Sequence, residues 1–93
     1  MRRKLNEAEL QASLIELPEW HLGGGSIVRT METKDFPAVI DLVGRIAEIA
    51  EAADHHPDMD IRYTKLRIAL STHDAGGVTV KDVEMAKKIN ALV

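Results

Sequence analysis

The sequence contains no cysteine. That removes disulfide bridges, thiol nucleophiles and zinc–thiolate centres at once. Aromatic residues are almost as scarce: Trp20, Phe36 and Tyr63 are the only three. The core must therefore be aliphatic, built from Leu, Ile, Val, Ala and Met. No apolar run approaches the length of a membrane span, so no membrane partner is expected. An excess of basic charge is also lacking. The formal net charge is -3, with both signs spread along the chain. That argues against general nucleic-acid binding, which requires a basic stripe. The start, Met1-Arg2-Arg3-Lys4-Leu5, is basic, but no apolar stretch of signal-peptide length follows it. A cytoplasmic location is the resulting expectation.

With 93 residues, 45% of them hydrophobic, the chain is sized for one globular domain spanning 1–93 rather than a disordered segment. A domain this small buries a modest share of its surface and is marginally stable alone. Self-association into a homo-oligomer is expected.

The order of elements can be read from periodicity and punctuation. Asn6-Glu7-Ala8-Glu9 has the form of a capping box, and Leu10, Leu14 and Leu17 follow at helical spacing up to Pro18. Trp20 to Leu22 and Ser26 to Glu32 are predicted as strands joined by a hairpin through Gly23-Gly24-Gly25. The glycines do not form a phosphate loop, because no Lys-Ser/Thr follows and a strand comes next. Asp35 is placed as a helix cap with Pro37 in the first turn. The stripe Phe36, Val39, Ile40, Val43, Ile46, Ala47 and Ala50, widened by Leu42 and Ile49, predicts a core-facing helix over 36–53. Pro57 forces the chain out of helical geometry after Asp54-His55-His56. Two more strands are predicted, over Asp60–Tyr63 and Lys65–Ser71. The second alternates with Leu66, Ile68 and Leu70 on one side. Thr72 to Gly77 is read as a loop. Thr79-Val80-Lys81-Asp82 resembles a capping box, with Asp in place of the usual Glu, and opens a last helix whose buried face is Val83, Ala86, Ile89 and Val93. This α-β-β-α-β-β-α order implies an α+β fold, with a four-stranded antiparallel sheet and three helices packed on one face.

Three of the four histidines fall in two loops: His55 and His56 after the long helix, and His73 after the main strand. Histidine gives and takes protons near neutral pH, so a cluster could serve as both acid and base. Neighbouring imidazoles also discourage one another from charging, which separates their proton affinities. Asp74 and Glu51 are candidate orienters, Glu51 lying four residues before His55. Other readings stand beside this one. Adjacent histidines in a polar loop are often plain surface residues. His55, His73 and Asp74 would suit zinc if the loops converge, although adjacent side chains such as His55-His56 diverge too far to share one ion. Ser26 and Ser71 lack any nucleophile-elbow context.

The string Glu51-x-x-Asp54-His55-His56-Pro57, then Tyr63, then Thr72-His73-Asp74-Ala75-Gly76-Gly77-x-Thr79, then Asp82, resembles the signature of the pterin-4a-carbinolamine dehydratases. Trp20 and the Lys34-Asp35-Phe36 helix start resemble that family too, so the likeness covers nearly the whole chain. It implies the same α+β fold, assembled as dimers and often tetramers. It implies dehydration of 4a-hydroxytetrahydropterin to quinonoid dihydropterin, which recycles the pterin of aromatic amino-acid hydroxylases. It implies no metal or other cofactor, the pterin being the substrate. His55, His56 and His73 match the family's three active-site histidines. Pro57, Thr72, Asp74, Ala75 and Glu51 would contribute to the pterin site. Two departures are Met59, where animal enzymes have tryptophan, and Asp54, where many relatives have asparagine. A non-catalytic dimerisation or assembly role, in transcription or carbon fixation, is also found on this fold.

Overall fold

A computed structural model describes residues 3–93; Met1 and Arg2, the first part of the basic start, lie outside them. The chain runs α1 (Glu7–Ile15), β1 (His21–Gly23), β2 (Ser26–Glu32), α2 (Phe36–Ala53), β3 (Asp58–Arg62), β4 (Lys65–Leu70) and α3 (Val80–Asn90), with a 3₁₀ turn at His73–Ala75. The strands form one antiparallel sheet in the order β1-β2-β4-β3. This is the α+β fold expected from the sequence. Among the described residues, no helix is long and apolar enough to cross a membrane.

Local chemistry sets the element ends. The Asn6 side chain accepts from the Glu9 N–H while the Glu9 carboxylate accepts from the Asn6 N–H, both at 2.9 Å. That closes a capping box on α1 and satisfies two otherwise orphaned donors. The helix stops at Ile15, earlier than Pro18 alone requires, and Leu17 is buried just beyond it. Gly23 belongs to β1 and pairs with Ser26, leaving a two-residue turn of Gly24 (φ 59) and Gly25 (φ 83). Positive φ at both positions is the hairpin geometry whose twist matches its strands. In the second hairpin, β3 begins two residues earlier than expected, directly after Pro57. Tyr63 leaves the strand to form its turn, at φ 54.

The core is aliphatic, as the missing aromatics require. Ile27, Met31, Leu66, Ile68 and Leu70 from the sheet pack with Val39, Leu42, Ile46, Ala50, Met85, Ala86 and Ile89 from the helices, and Trp20 closes one end. The face of α2 that meets the sheet is narrower than its apolar stripe. Phe36, Ile40 and Ala47 face solvent instead. Apolar residues run almost around this helix, so periodicity alone does not choose the half that the sheet covers. Val93 lies beyond the end of α3 and is exposed, and Met85 takes its place in the core. Arg29 points to the helix side of the sheet. Its guanidinium donates to Asn90 Oδ1 at 2.6 Å, beside the Trp20 indole N–H at 2.9 Å, tying β2 to the end of α3.

Two outcomes follow from these ends. Gly25→Val places a β-branched residue in the left-handed region and should cost about 1–2 kcal/mol, a melting-point drop of roughly 4–16 °C by calorimetry. The second concerns Glu9. The Arg3 guanidinium, helped by the Asn6 N–H, holds its carboxyl down at about 2. A lowered carboxyl stabilises the fold above the ordinary carboxylate range and loses that contribution as pH falls through about 2. A carbon-detected NMR titration should place Glu9 well below the usual carboxylate range, and Arg3→Ala should move it back up.

Candidate active site

The two histidine-bearing loops meet because of strand register. Asp58 at the start of β3 pairs with Ala69 near the end of β4. In an antiparallel pair, residues before the first strand lie beside residues after the second. His55-His56-Pro57 is thus carried towards Ser71-Thr72-His73.

Each loop is held by its own backbone. Helix α2 ends in Asp54, which adopts the left-handed conformation (φ 50, ψ 44). Aspartate tolerates that region better than most residues because its short polar side chain bonds locally. The His55 N–H then turns back to the Ala50 carbonyl at 3.1 Å, a six-residue closure of the Schellman type. Pro57 bars any continuation of the helix. On the other side, the Thr72 N–H donates to Gly77 O at 2.8 Å, and the Thr72 carbonyl accepts from the N–H groups of Ala75 and Gly76. Gly76 (φ 75) makes the reversal. His73 is thereby fixed at the first position of a closed turn rather than in the open loop expected.

Between the loops is a cleft of about 480 Å³ lined by Asp54, His55, His56, Pro57, Asp58, Ser71, Thr72, His73, Asp74 and Lys81. That is a size suited to a small molecule. All three candidate histidines line it, with Pro57, Thr72 and Asp74. Glu51 and Ala75 do not.

The organising group is Asp82, whose side chain is fully buried. Its Oδ2 accepts from the Thr79 N–H at 2.9 Å and from the Thr72 hydroxyl at 2.8 Å. Its Oδ1 lies 2.5 Å from His55 Nε2. With Asp82 as a carboxylate, which only accepts, the proton of this bond is carried by His55 Nε2. The network continues: Thr79 Oγ1 lies 2.8 Å from Thr72 Oγ1 and accepts from the Lys81 N–H. Since Thr72 donates to Asp82, Thr79 donates to Thr72. Among the described residues no buried side-chain polar atom is left without a partner. Such a network holds His55 in one tautomer. A protonated ring would gain further from the buried carboxylate.

His56 is placed differently. Its Nε2 lies 2.8 Å from Glu51 Oε1, and both side chains are exposed. Glu51 therefore orients His56, not His55 as its spacing of four suggested, because the left-handed turn at Asp54 swings His55 away towards α3. Exposed pairs of this kind hold weakly. Asp82 is the residue that sequence reasoning under-read. Sequence spacing places it at the fourth position of a capping box, a role it does fill, and at the end of the family-like signature, with no part in the site assigned to it. The signal for more was present: Asp82 shares the inward face of α3 with Met85, Ala86 and Ile89, and a carboxylate on an apolar helix face needs a buried partner. Lys81 and Asp58 also join the lining with no role expected of them, as does Ser71, which the sequence rejects as a nucleophile.

Comparison with known proteins bears on this arrangement. A family model described as pterin 4 alpha carbinolamine dehydratase matches residues 3–92. Relatives from Chloroflexus aurantiacus and Picosynechococcus sp. carry the name pterin-4-alpha-carbinolamine dehydratase provisionally. The first is 49% identical over 90 residues, covering 97% of this chain and 97% of the relative. The second is 45% identical over 92 residues, covering 99% and 100%. A crystal structure from Brucella melitensis, described as a transcriptional coactivator/pterin dehydratase, superposes with a TM-score of 0.91 at 35% identity, covering 96% of this chain and 97% of that one. A match over almost the whole length, in sequence and in fold, means that the chain belongs to the pterin 4 alpha carbinolamine dehydratase family.

Proposed function

We propose that this protein dehydrates 4a-hydroxytetrahydropterin to quinonoid dihydropterin by histidine acid/base catalysis. The observation that carries the reading is the buried Asp82 carboxylate on His55, facing a small-molecule cleft that His56 and His73 also line. In this reaction a base takes the proton on N5, and the N5 electrons form the C4a=N5 double bond. The C4a–O bond breaks, and the hydroxyl leaves as water with a proton from an acid. One imidazole held in a fixed tautomer by a buried carboxylate, with two others on the same cleft, supplies both proton-transfer roles. Pro57, Thr72 and Asp74 would border the bound pterin, with Glu51 acting through His56 and Ala75 through the backbone of the closed turn. The chemistry calls on no cofactor. Recycling pterin for an aromatic amino-acid hydroxylase in the cytoplasm, as a homodimer or homotetramer, completes the reading.

A second reading has its own support. Phe36 and Ile40 are each 46% exposed on the side of α2 turned away from the sheet, and the Brucella relative is described partly as a coactivator. A non-catalytic dimerisation or assembly factor would use that side and not the histidines. Partner capture with wild type and with a variant lacking all three histidines separates the two: equal capture supports an independent assembly role.

The dehydration is tested with freshly generated 4a-hydroxytetrahydropterin. The purified protein should shorten its lifetime well below the buffer value, and no acceleration would remove the enzymatic reading. His55→Ala and His73→Ala should each lower kcat/KM by about 10²–10⁴. Asp82→Asn puts an amide donor against either His55 or the Thr79 N–H. It should lose activity by a similar factor and about 1–3 kcal/mol of stability, read by stopped-flow absorbance and urea melts.

A further inference from the structure

Lys81 belongs to the cleft lining, yet its position on α3 is electrostatically awkward. It sits in the first turn, between Val80 and Asp82, where the helix dipole disfavours a cation. Its own helix therefore does not account for where its head group lies. The end of α2 does. The last turn of α2 contains no basic residue. The left-handed stop commits the Asp54 and His55 N–H groups to Ala50 and Glu51, leaving the final α2 carbonyls without helical donors. Lys81 Nζ reaches one of them, Ala53 O, at 3.4 Å. At that length the contact is chiefly charge on dipole, the favourable sense for a helix C-terminus.

Two consecutive residues of α3 thus grip the exit of α2: Lys81 at Ala53 and Asp82 at His55. One contact between two helix ends leaves a pivot, whereas two neighbouring contacts fix the angle as well. We propose that Lys81 is a positioning residue of the histidine site, its ammonium clamping the end of α2 to α3 so that His55 keeps its alignment on Asp82. The clamp itself stands on geometry; its consequence for turnover rests on the dehydration reading above.

The test uses the full chain with Lys81→Met, which keeps an apolar stem but removes the charge and donor, and with Lys81→Arg. The His55 Nε2 proton on Asp82 should give a downfield NMR signal that reports the alignment, and thermal melts check that each variant is folded. In Lys81→Met that signal should shift upfield and exchange faster with water, and kcat should fall roughly 10- to 100-fold with KM little changed. Lys81→Arg should restore both. An unchanged His55 signal in Lys81→Met overturns the proposal. So does a lost signal that arginine does not restore. A normal signal with lost turnover would mean that Lys81 acts on the substrate and not through His55, which also overturns it. If wild type shows no dehydration, that reading fails by itself and the NMR comparison still decides the clamp.

Discussion

The Asp82 carboxylate is removed from solvent and takes hydrogen bonds from three separate stretches of chain: the start of α3 through the Thr79 N–H, the turn after β4 through Thr72, and the exit of α2 through His55. A buried charge is tolerated only when its acceptor sites are filled. Each donor must therefore be in place for the carboxylate to be affordable at all. This couples the helix cap to the site. The capping box that starts α3 also aims the second carboxylate oxygen at the imidazole. A residue that looks like local helix chemistry is thus the junction of two helices and a loop.

The same economy appears at the end of α2. Asp54 in the left-handed region and Pro57 three residues on turn a helix into a strand within a short segment. The turn separates the adjacent histidines. His55 swings inward to the buried carboxylate at 10% side-chain exposure, while His56 stays outside with Glu51 at 58%. One imidazole of the rim is thus buried and bonded to a carboxylate, and the other is open to solvent. His73 reaches the rim from the other side because the Thr72–Gly77 turn is closed by its own backbone. A turn closed by its own backbone at a sheet end constrains a side chain more than an open loop would.

The surroundings of the cleft are polar and mainly acidic. Asp54, Asp58 and Asp74 line it, and Lys81 is the one lysine or arginine among the described lining residues. The aliphatic core lies behind, between helices and sheet. It supplies the fixed distance between the end of α2 and the start of α3 on which the histidine–carboxylate pair depends. Where the core uses polar side chains, as with Trp20, Arg29 and Asn90, they lock α3 to the sheet at its far end. Both ends of α3 are therefore anchored, one by the site and one by this cluster.

The sequence by itself determined the elements and their order. Capping boxes at Asn6 and Thr79, the prolines at 37 and 57, the glycine turn and the alternation of Leu66, Ile68 and Leu70 are all local signals, set within a few residues, and they survive folding because the core agrees with them. It also marked the three histidines, through motif spacing rather than any contact. What it left open is nonlocal. The apolar surround of α2 did not say that Phe36 and Ile40 would face outward, because that depends on where the sheet lies. Spacing paired Glu51 with His55, but a left-handed residue between them sent His55 elsewhere. The meeting of Asp82 with His55 across 27 residues, and of Lys81 with Ala53 across 28, was decided only by the tertiary structure. Strand register and helix packing bring those side chains together, and neither is written in any short window of the chain.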